Sequence, residues 1–447
     1  MGTGQESDDR IQAIGVHTMF FSTTLFLMSA ALVFPAAAGD GTVEVGTDKR
    51  AKLQLRVCPI GGSSNIATVA ERLRDDLAFS RQFDVMIKPL DAVPSREQMQ
   101  QVGAPLALFV SEASNGINWW LYETLGPTMV KGRRCAKRGS LPRWWAHNVA
   151  DSAWPFLTGK ESSFSSKIAY CKETKGRSKN GRRTTCLCVA DFDGSDEQVL
   201  LDLPTVNVAP RWNRDSCNPL LFYSQYTRNN VRLMAIDPRG KRQQVSNFDG
   251  INMCPTFCSD GSKVVYCASR NESTCQLYLH EIGKLTKLTD NKGNNIAPTF
   301  SGDGTRLYFC ADFESNVPQL YELCLADRSL TRLSKTGFHA STAYCTARDL
   351  LAYTKRVGGV MQLFTYDPST GRHAQLTSDK GDKQECAWSP CGNYLIFAAM
   401  RGGKGRITTF DLATRQQHPL TAASASTCYP SWSPLLAAPL AAKTRGA

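Results

Sequence analysis

The sequence predicts a mainly β fold, a six-bladed β-propeller with a small N-terminal α/β domain. Three observations carry this. Bulky aromatic residues recur at Trp212, Phe257, Phe300, Tyr344, Trp388 and Trp432, with spacings of 45, 43, 44, 44 and 44 residues. The text around them also recurs: Pro-Thr-Phe-Cys-Ser-Asp-Gly at 255–261, Pro-Thr-Phe-Ser-Gly-Asp-Gly at 298–304, Ala-Trp-Ser-Pro-Cys-Gly at 387–392 and Ser-Trp-Ser-Pro at 431–434. Each copy holds four strand-like segments, and four strands in about 44 residues is the length of one propeller blade.

Within a copy the elements follow in a set order. An Asp-Gly pair makes a tight turn. A short apolar strand comes next, as at Lys263–Cys267, Arg306–Cys310 and Tyr394–Ala398. A second strand follows a polar loop, as at Gln276–Leu279, Gln319–Leu323 and Gln362–Tyr366. A turn such as Asp237-Pro-Arg-Gly240 leads to a last element ending in Leu288-Thr289, Leu333-Ser334, Leu376-Thr377 or Leu420-Thr421. An earlier copy begins near Phe164 and lacks the opening Pro-x-aromatic strand. The fragment Pro430–Pro434 is that missing strand, so the sequence predicts a ring closed by its own C-terminal end. Closure removes the sheet edges that template aggregation.

A chain of 447 residues is long enough for two domains. The expected layout is a signal peptide at 1–38, a flexible segment at 39–51, an α/β domain at 52–158, the propeller at 159–434 and a tail at 435–447. Residues 19–34 are apolar apart from Ser and Thr, and an Ala-x-Ala site places cleavage after Ala38. Glu6, Asp8 and Asp9 precede this core where an export signal is basic, so an uncleaved anchor is the rival reading. In the α/β domain, Leu53, Leu55 and Val57 alternate as in a strand. Ile66, Val69, Ala70, Leu73 and Leu77 trace one helical face, with Asn65 as the N-cap candidate. Ala104–Val110 and Asn118–Leu125 read as further strands. A second helix runs from Pro142 to about Phe156, with Trp145, Val149, Ser152 and Phe156 on one face.

The net charge of +12 collects in two short stretches, 131–138 and 175–183. Neither interleaves aromatics for base stacking, so nucleic acid is not expected. Solvated loops are the plain reading and contact with an anionic surface the sharper one. The chain has sixteen Cys. The repeat aligns Cys171, Cys267 and Cys310 with Ser224, Thr354 and Ala398, and Cys258 and Cys345 with Asn213, Ser301, Ser389 and Ser433. Cys at such positions fills small slots. Cys171 with Cys186 and Cys267 with Cys275 fall on successive strands and are open as disulfides, while Cys391 takes a turn position expected to be exposed. Cys254 and Cys258 have no zinc-site spacing, and no metal or other cofactor is expected.

No catalytic constellation emerges. The six His are scattered, and neither His-Glu-x-x-His nor Gly-x-Ser-x-Gly occurs. Asp191-Phe-Asp-Gly-Ser-Asp196 reads as a strand-connecting turn rather than a calcium loop. His147 reads as packing or capping, with no Cys or Asp to place beside it. Binding falls instead to loops that open each blade, at Gly250–Cys254, Asn294–Ala297, Lys383–Cys386 and Ser426–Tyr429, because they converge on the channel of a stiff scaffold.

The junction His147-Asn-Val-Ala-Asp151, Leu157-Thr-Gly159 and Phe164-Ser-Ser-Lys-Ile-Ala-Tyr170 resembles the TolB family, the periplasmic propellers of the bacterial Tol–Pal envelope system. Val-Ala-Asp191-Phe-Asp-Gly194, the aromatic-Ser-x-Asp-Gly turns and the terminal Pro-Ser-Trp-Ser-Pro434 are similar to that family too, as is the helix ending at Phe83. The resemblance implies a non-enzymatic scaffold in the periplasm, serving outer-membrane integrity and cell division. It implies two partners, the peptidoglycan-associated lipoprotein Pal on the channel face and the inner-membrane protein TolA on the N-terminal segment. Association with the outer membrane would be peripheral, through Pal. The Pal positions correspond to Ile251, Asn252, Cys254, Pro255, Asn294, Asn295, Ile296 and Ala297, and the TolA positions to Thr42, Val43, Glu44 and Val45. Ile251 and Ile296 replace polar residues common in the family's channel loops. The alternative class is a propeller enzyme or carbohydrate-binding module, which would need acids such as Asp249, Asp382 or Glu385 to converge.

Overall fold

The computed structural model describes residues 52–114, 116–126, 128–136, 141–174, 184–246, 248–270 and 272–440. Ala38 and Thr42–Val45 lie outside the described residues, as does the basic stretch 175–183.

The N-terminal α/β region is a five-stranded sheet carrying two helices. Its strands are β1 (Leu53–Ile60), β2 (Phe83–Ile87), β3 (Leu106–Ala113), β4 (Gly116–Glu123) and β5 (Thr128–Ala136), ordered β2-β1-β3-β4-β5. β1 pairs in parallel with β2 and β3, and the rest is antiparallel. Helix α1 (Ser64–Phe79) buries the expected apolar stripe of Ile66, Val69, Ala70, Leu73 and Leu77. Its N-cap is Ser63, whose Oγ accepts from the Ile66 amide at 3.2 Å, so the cap lies two residues before Asn65. Helix α2 (Pro142–Thr158) starts on a proline and stops at Gly159, left-handed at φ 68°. It buries Trp145, Val149 and Trp154, but Phe156 is exposed rather than on the inward face. The basic residues Lys131, Arg133 and Arg134, expected in a loop, stand on edge strand β5. Charges there oppose pairing with another sheet edge.

Six four-stranded sheets follow, forming the propeller. Blade one is built from both ends of this region: the C-terminal strand Thr427–Trp432 pairs with Lys167–Thr174, which pairs with Thr184–Asp191 and then Gln198–Leu201. The ring is therefore closed by hydrogen bonds between residues 427–432 and 168–172, as the repeat predicted.

The recurring Leu-Thr text has a physical explanation. The Leu288, Leu333 and Leu376 amides bond to carbonyls of the third strand. The next hydroxyl accepts from that strand's backbone at 2.9 Å, Thr289 from Leu277, Ser334 from Leu320 and Thr377 from Leu363. The same hydroxyl donates to Gln276, Gln319 or Gln362. Blades three, four and five thus each satisfy a buried Gln with their own Thr or Ser, which avoids the cost of an unpaired buried amide.

The innermost strands share a feature without a sequence signal. Each carries a register shift. At it sits a left-handed residue: Ala209, Cys254, Ala297, Ser341, Glu385 or Tyr429, with φ between 51° and 55°. A bulge bends its strand and increases the twist, and here it does so once per blade around the channel.

Candidate functional site

Two places concentrate polar chemistry: the channel, and the junction between the α/β region and blade one.

At the channel, the innermost strands open on Asn207, Asn252, Asn295, His339, Lys383 and Thr427, none more than 1% exposed. All but Thr427 pin the loop that delivers their strand. Asn252 Nδ2 donates to Val231 O at 2.9 Å and Phe248 O at 2.7 Å. Asn295 Nδ2 donates to Asn291 Oδ1 at 2.9 Å and Gly293 O at 3.1 Å. Lys383 Nζ donates to Asp379 O and Gly381 O, both at 2.8 Å. The sequence reading placed Asn252 and Asn295 among partner-contacting residues. Their side chains are instead buried and saturated, and they hold the loops in shape.

The other predicted channel residues do come together. Ile251, Cys254 and Ile296 are half-buried and pack on one apolar cluster shared by blades three and four. Asn294 is braced, its amide donating to Asp312 Oδ1 at 2.6 Å and its Oδ1 accepting from Cys275 N at 3.1 Å. Ala297 and Cys254 are the left-handed bulge residues, and Pro255 is buried beside Cys254. The surface these loops offer is therefore mainly apolar.

Beyond the loops the channel widens into a funnel with an empty volume of about 840 Å³, open to solvent. Every innermost strand contributes to its lining, through Arg211, Thr256, Thr299, Ala343, Ala387 and Ser431 among others. Arg211 Nη2 lies 3.3 Å from Glu385 Oε2, and its Nη1 donates to Pro430 O. Arg214 also lines the funnel and is exposed to solvent there. Of the acids weighed for catalysis, Glu385 is held by Arg211, and Asp382 accepts from the Met361 amide at 2.8 Å.

The junction is a buried ion cluster. His147, on α2, lies between two carboxylates. Its Nδ1 is 2.8 Å from Asp76 Oδ2 on α1, and its Nε2 is 3.3 Å from Asp191 Oδ2 of blade one, out of hydrogen-bond alignment. Asp191 also meets Arg143 and Lys167. Arg72 bonds Asp76 at 2.7 Å and Asp193 at 2.6 Å, tying α1 to the same turn. Burial alone would lower the His147 pKa, but Asp76 foremost, with Asp191, outweighs it and lifts it to about 9. Burial likewise pushes Asp191 up, and His147 and Lys167 overcome it to hold Asp191 well below the ordinary carboxylate value. His147 is thus an ion-paired imidazolium, not a packing or capping residue.

The turn Asp191–Asp196 connects strands as expected, closed by Asp191 N to Ser195 O at 2.8 Å. It is also the docking element for both helices. Phe192 enters between Phe79 and Phe164, with centroids at 5.0 and 5.3 Å. Gly194 has φ +86°, and a Cβ there would lie 2.3 Å from Leu420 O. Gly194→Ala is expected to destabilise the protein by about 2 kcal/mol, from steric overlap plus left-handed strain. Urea midpoints of the two chains check this.

The cysteines also differ from expectation in three ways. Cys171 lies opposite Leu187, which puts Cys186 on the other face of the sheet. Cys267 meets Cys254. Cys391 is buried, its amide donating to Ser163 Oγ at 3.1 Å.

Comparison with known proteins agrees with this architecture. The family described as "TolB beta propeller domain" matches residues 154–436, more than half of the chain. A curated relative, "Tol-Pal system protein TolB" of Gluconobacter oxydans, is 27% identical over 244 residues, 53% of this chain and 52% of that protein. The protein of the same name from Rickettsia africae is 29% identical over 159 residues, 35% of each. The matches therefore span about half or less of these relatives' length. The crystal structure of TolB from Acinetobacter baumannii superposes with a TM-score of 0.73 at 22% identity, covering 86% of this chain and 97% of that one, which shows a shared fold. With its closed six-bladed ring, its docked α/β region and a family match across the propeller, the chain belongs to the TolB β-propeller family.

Proposed function

We propose that the protein is a non-enzymatic, periplasmic scaffold of the Tol–Pal system. Its Pal-type partner docks on the loops at Ile251–Cys254 and Asn294–Ala297, and a TolA-type partner engages Thr42–Val45. Outer-membrane contact is then peripheral, through the lipoprotein. The observation that carries the reading is the family match across the propeller, joined to the half-buried apolar surface of Ile251, Cys254 and Ile296. Apolar groups seated on a rigid framework make good anchors for a partner, because little order is lost on binding.

Ile296→Asp is expected to weaken binding of purified Pal-type lipoprotein about tenfold or more, read by calorimetry. Unchanged affinity would remove this face from the proposal. Pull-down from envelope extracts with and without residues 39–47 tests the other partner. Loss of a TolA-type protein, with the Pal-type protein retained, is the expected pattern.

A further inference from the structure

The ring is closed only by non-covalent pairing of Thr427–Trp432 with Lys167–Thr174. Within that pairing Cys428 and Cys171 are directly opposed. Opposed residues of an antiparallel pair project to the same face, with Cα atoms about 4.5–5.5 Å apart. That separation is inside the range a disulfide spans. Both side chains belong to one apolar cluster, Cys428 packing against the buried set that contains Cys171. Cys171 is fully buried and donates to Asn207 O at 3.3 Å, whereas Cys428 is half-buried.

Neighbouring cysteines are less suited. Cys186 and Cys188 lie with sulfurs 3.8 Å apart, but alternate on one strand. Their Cα atoms are then about 6.6 Å apart, at the edge of what a disulfide bridges. Cys254 touches Cys267 from a bulge whose opposed partner position is held by Met253.

We propose that Cys171 and Cys428 form a disulfide that locks the propeller ring covalently. The oxidant is a protein or small-molecule disulfide. The Cys428 thiolate attacks it, forming a mixed disulfide and releasing one thiolate. The Cys171 thiolate then attacks the Cys428 sulfur and releases the second. Two protein thiols lose two protons and two electrons, and the reagent disulfide becomes two thiols. The bond joins residues 257 apart in sequence, so nearly the whole ring lies in the loop it closes. Long loops lose the most unfolded-state freedom on cross-linking. An oxidising compartment, as in the proposed function, supplies the reagent in the cell, but the test needs none.

The reduced protein is equilibrated in a glutathione redox buffer, alkylated, and mapped by mass spectrometry of non-reduced peptides. A Cys171–Cys428 linked peptide is expected, with a melting temperature about 5 °C or more above the reduced chain. Cys428→Ser should melt within about 2 °C of the reduced parent and gain nothing on oxidation, while Cys254→Ser keeps the full gain. Both thiols alkylated at oxidised equilibrium, either one linked elsewhere, or a gain that survives Cys428→Ser would each overturn the lock. None of these outcomes depends on Pal or TolA binding.

Discussion

Asp76→Asn is expected to cost about 3 kcal/mol at pH 7 and to remove the part of the alkaline loss of stability that His147 causes. Asp76 is fully buried and faces two cations, Arg72 at 2.7 Å and the His147 imidazolium at 2.8 Å. Asn keeps the shape and a hydrogen-bonding oxygen but removes the charge. Two cations then share the interior with less compensation, and breaking one partner of a buried ion cluster costs far more than losing a surface pair.

The pH dependence makes the result specific. In the folded chain His147 keeps its proton to about pH 9, whereas unfolded His releases it near 6.5. The proton's stabilisation is therefore complete below about pH 6.5 and is lost as pH rises through 9. Across that window it amounts to about 3 kcal/mol. In Asp76→Asn the largest charge raising His147 is gone, so the variant's stability should fall much less between pH 6.5 and 9.5. Buried thiols titrate alike in both chains, so the difference between their urea midpoints isolates His147. Parallel curves would sink the assignment.

This cluster was beyond the reach of a single sequence. Asp76 precedes His147 by 71 residues, and Asp191 follows it by 44. The three sit on α1, on α2 and in a blade turn, and only tertiary packing brings them together. The repeats were legible for the opposite reason. Turn, strand and Leu-Thr text are local, and recur wherever the same blade geometry recurs. The left-handed bulges were hidden although they too recur, because Ala209, Cys254, Ser341, Glu385 and Tyr429 lack the Gly or Asn that normally marks a positive φ. The polar residues that open each innermost strand were visible but ambiguous. A loop Asn that binds a partner and a loop Asn that pins its own backbone look alike, and Asn252 and Asn295 are the second kind.

Removing the closing strand should have the largest effect of all. A chain ending at Ser426 loses Thr427–Trp432, and with it the whole strand pairing that joins blade one to the C-terminal end, leaving the bond from the Glu173 amide to Ser426 O. The strand Lys167–Thr174 becomes an open edge, and Ile168 and Tyr170 lose part of the apolar cover that leaves them now fully buried. An exposed apolar edge recruits other chains. The expected product is a dye-binding, aggregating species, and not a smaller propeller. Trp432 carries much of this. It is 5% exposed and donates from Nε1 to Ser166 Oγ at 2.7 Å. It stands opposite Ile168 and stacks on Tyr394. Trp432→Ala should cost about 3–5 kcal/mol, as for a buried aromatic replaced by a methyl group. Trp432→Phe refills most of the volume but leaves the Ser166 hydroxyl without its donor, and should cost about 1–2 kcal/mol. Trp388→Ala is the control: its indole is 8% exposed and bonds Ala343 O at 3.1 Å between blades five and six, away from the closure. Its loss of stability should be similar by denaturant midpoint. By native-state hydrogen exchange, however, only Trp432→Ala should selectively speed exchange at Ala169 and Cys171, whose strand borders the closing seam. Uniform acceleration across all blades in both variants would show that the ring opens everywhere alike, and that the seam is no weaker than the other blade contacts.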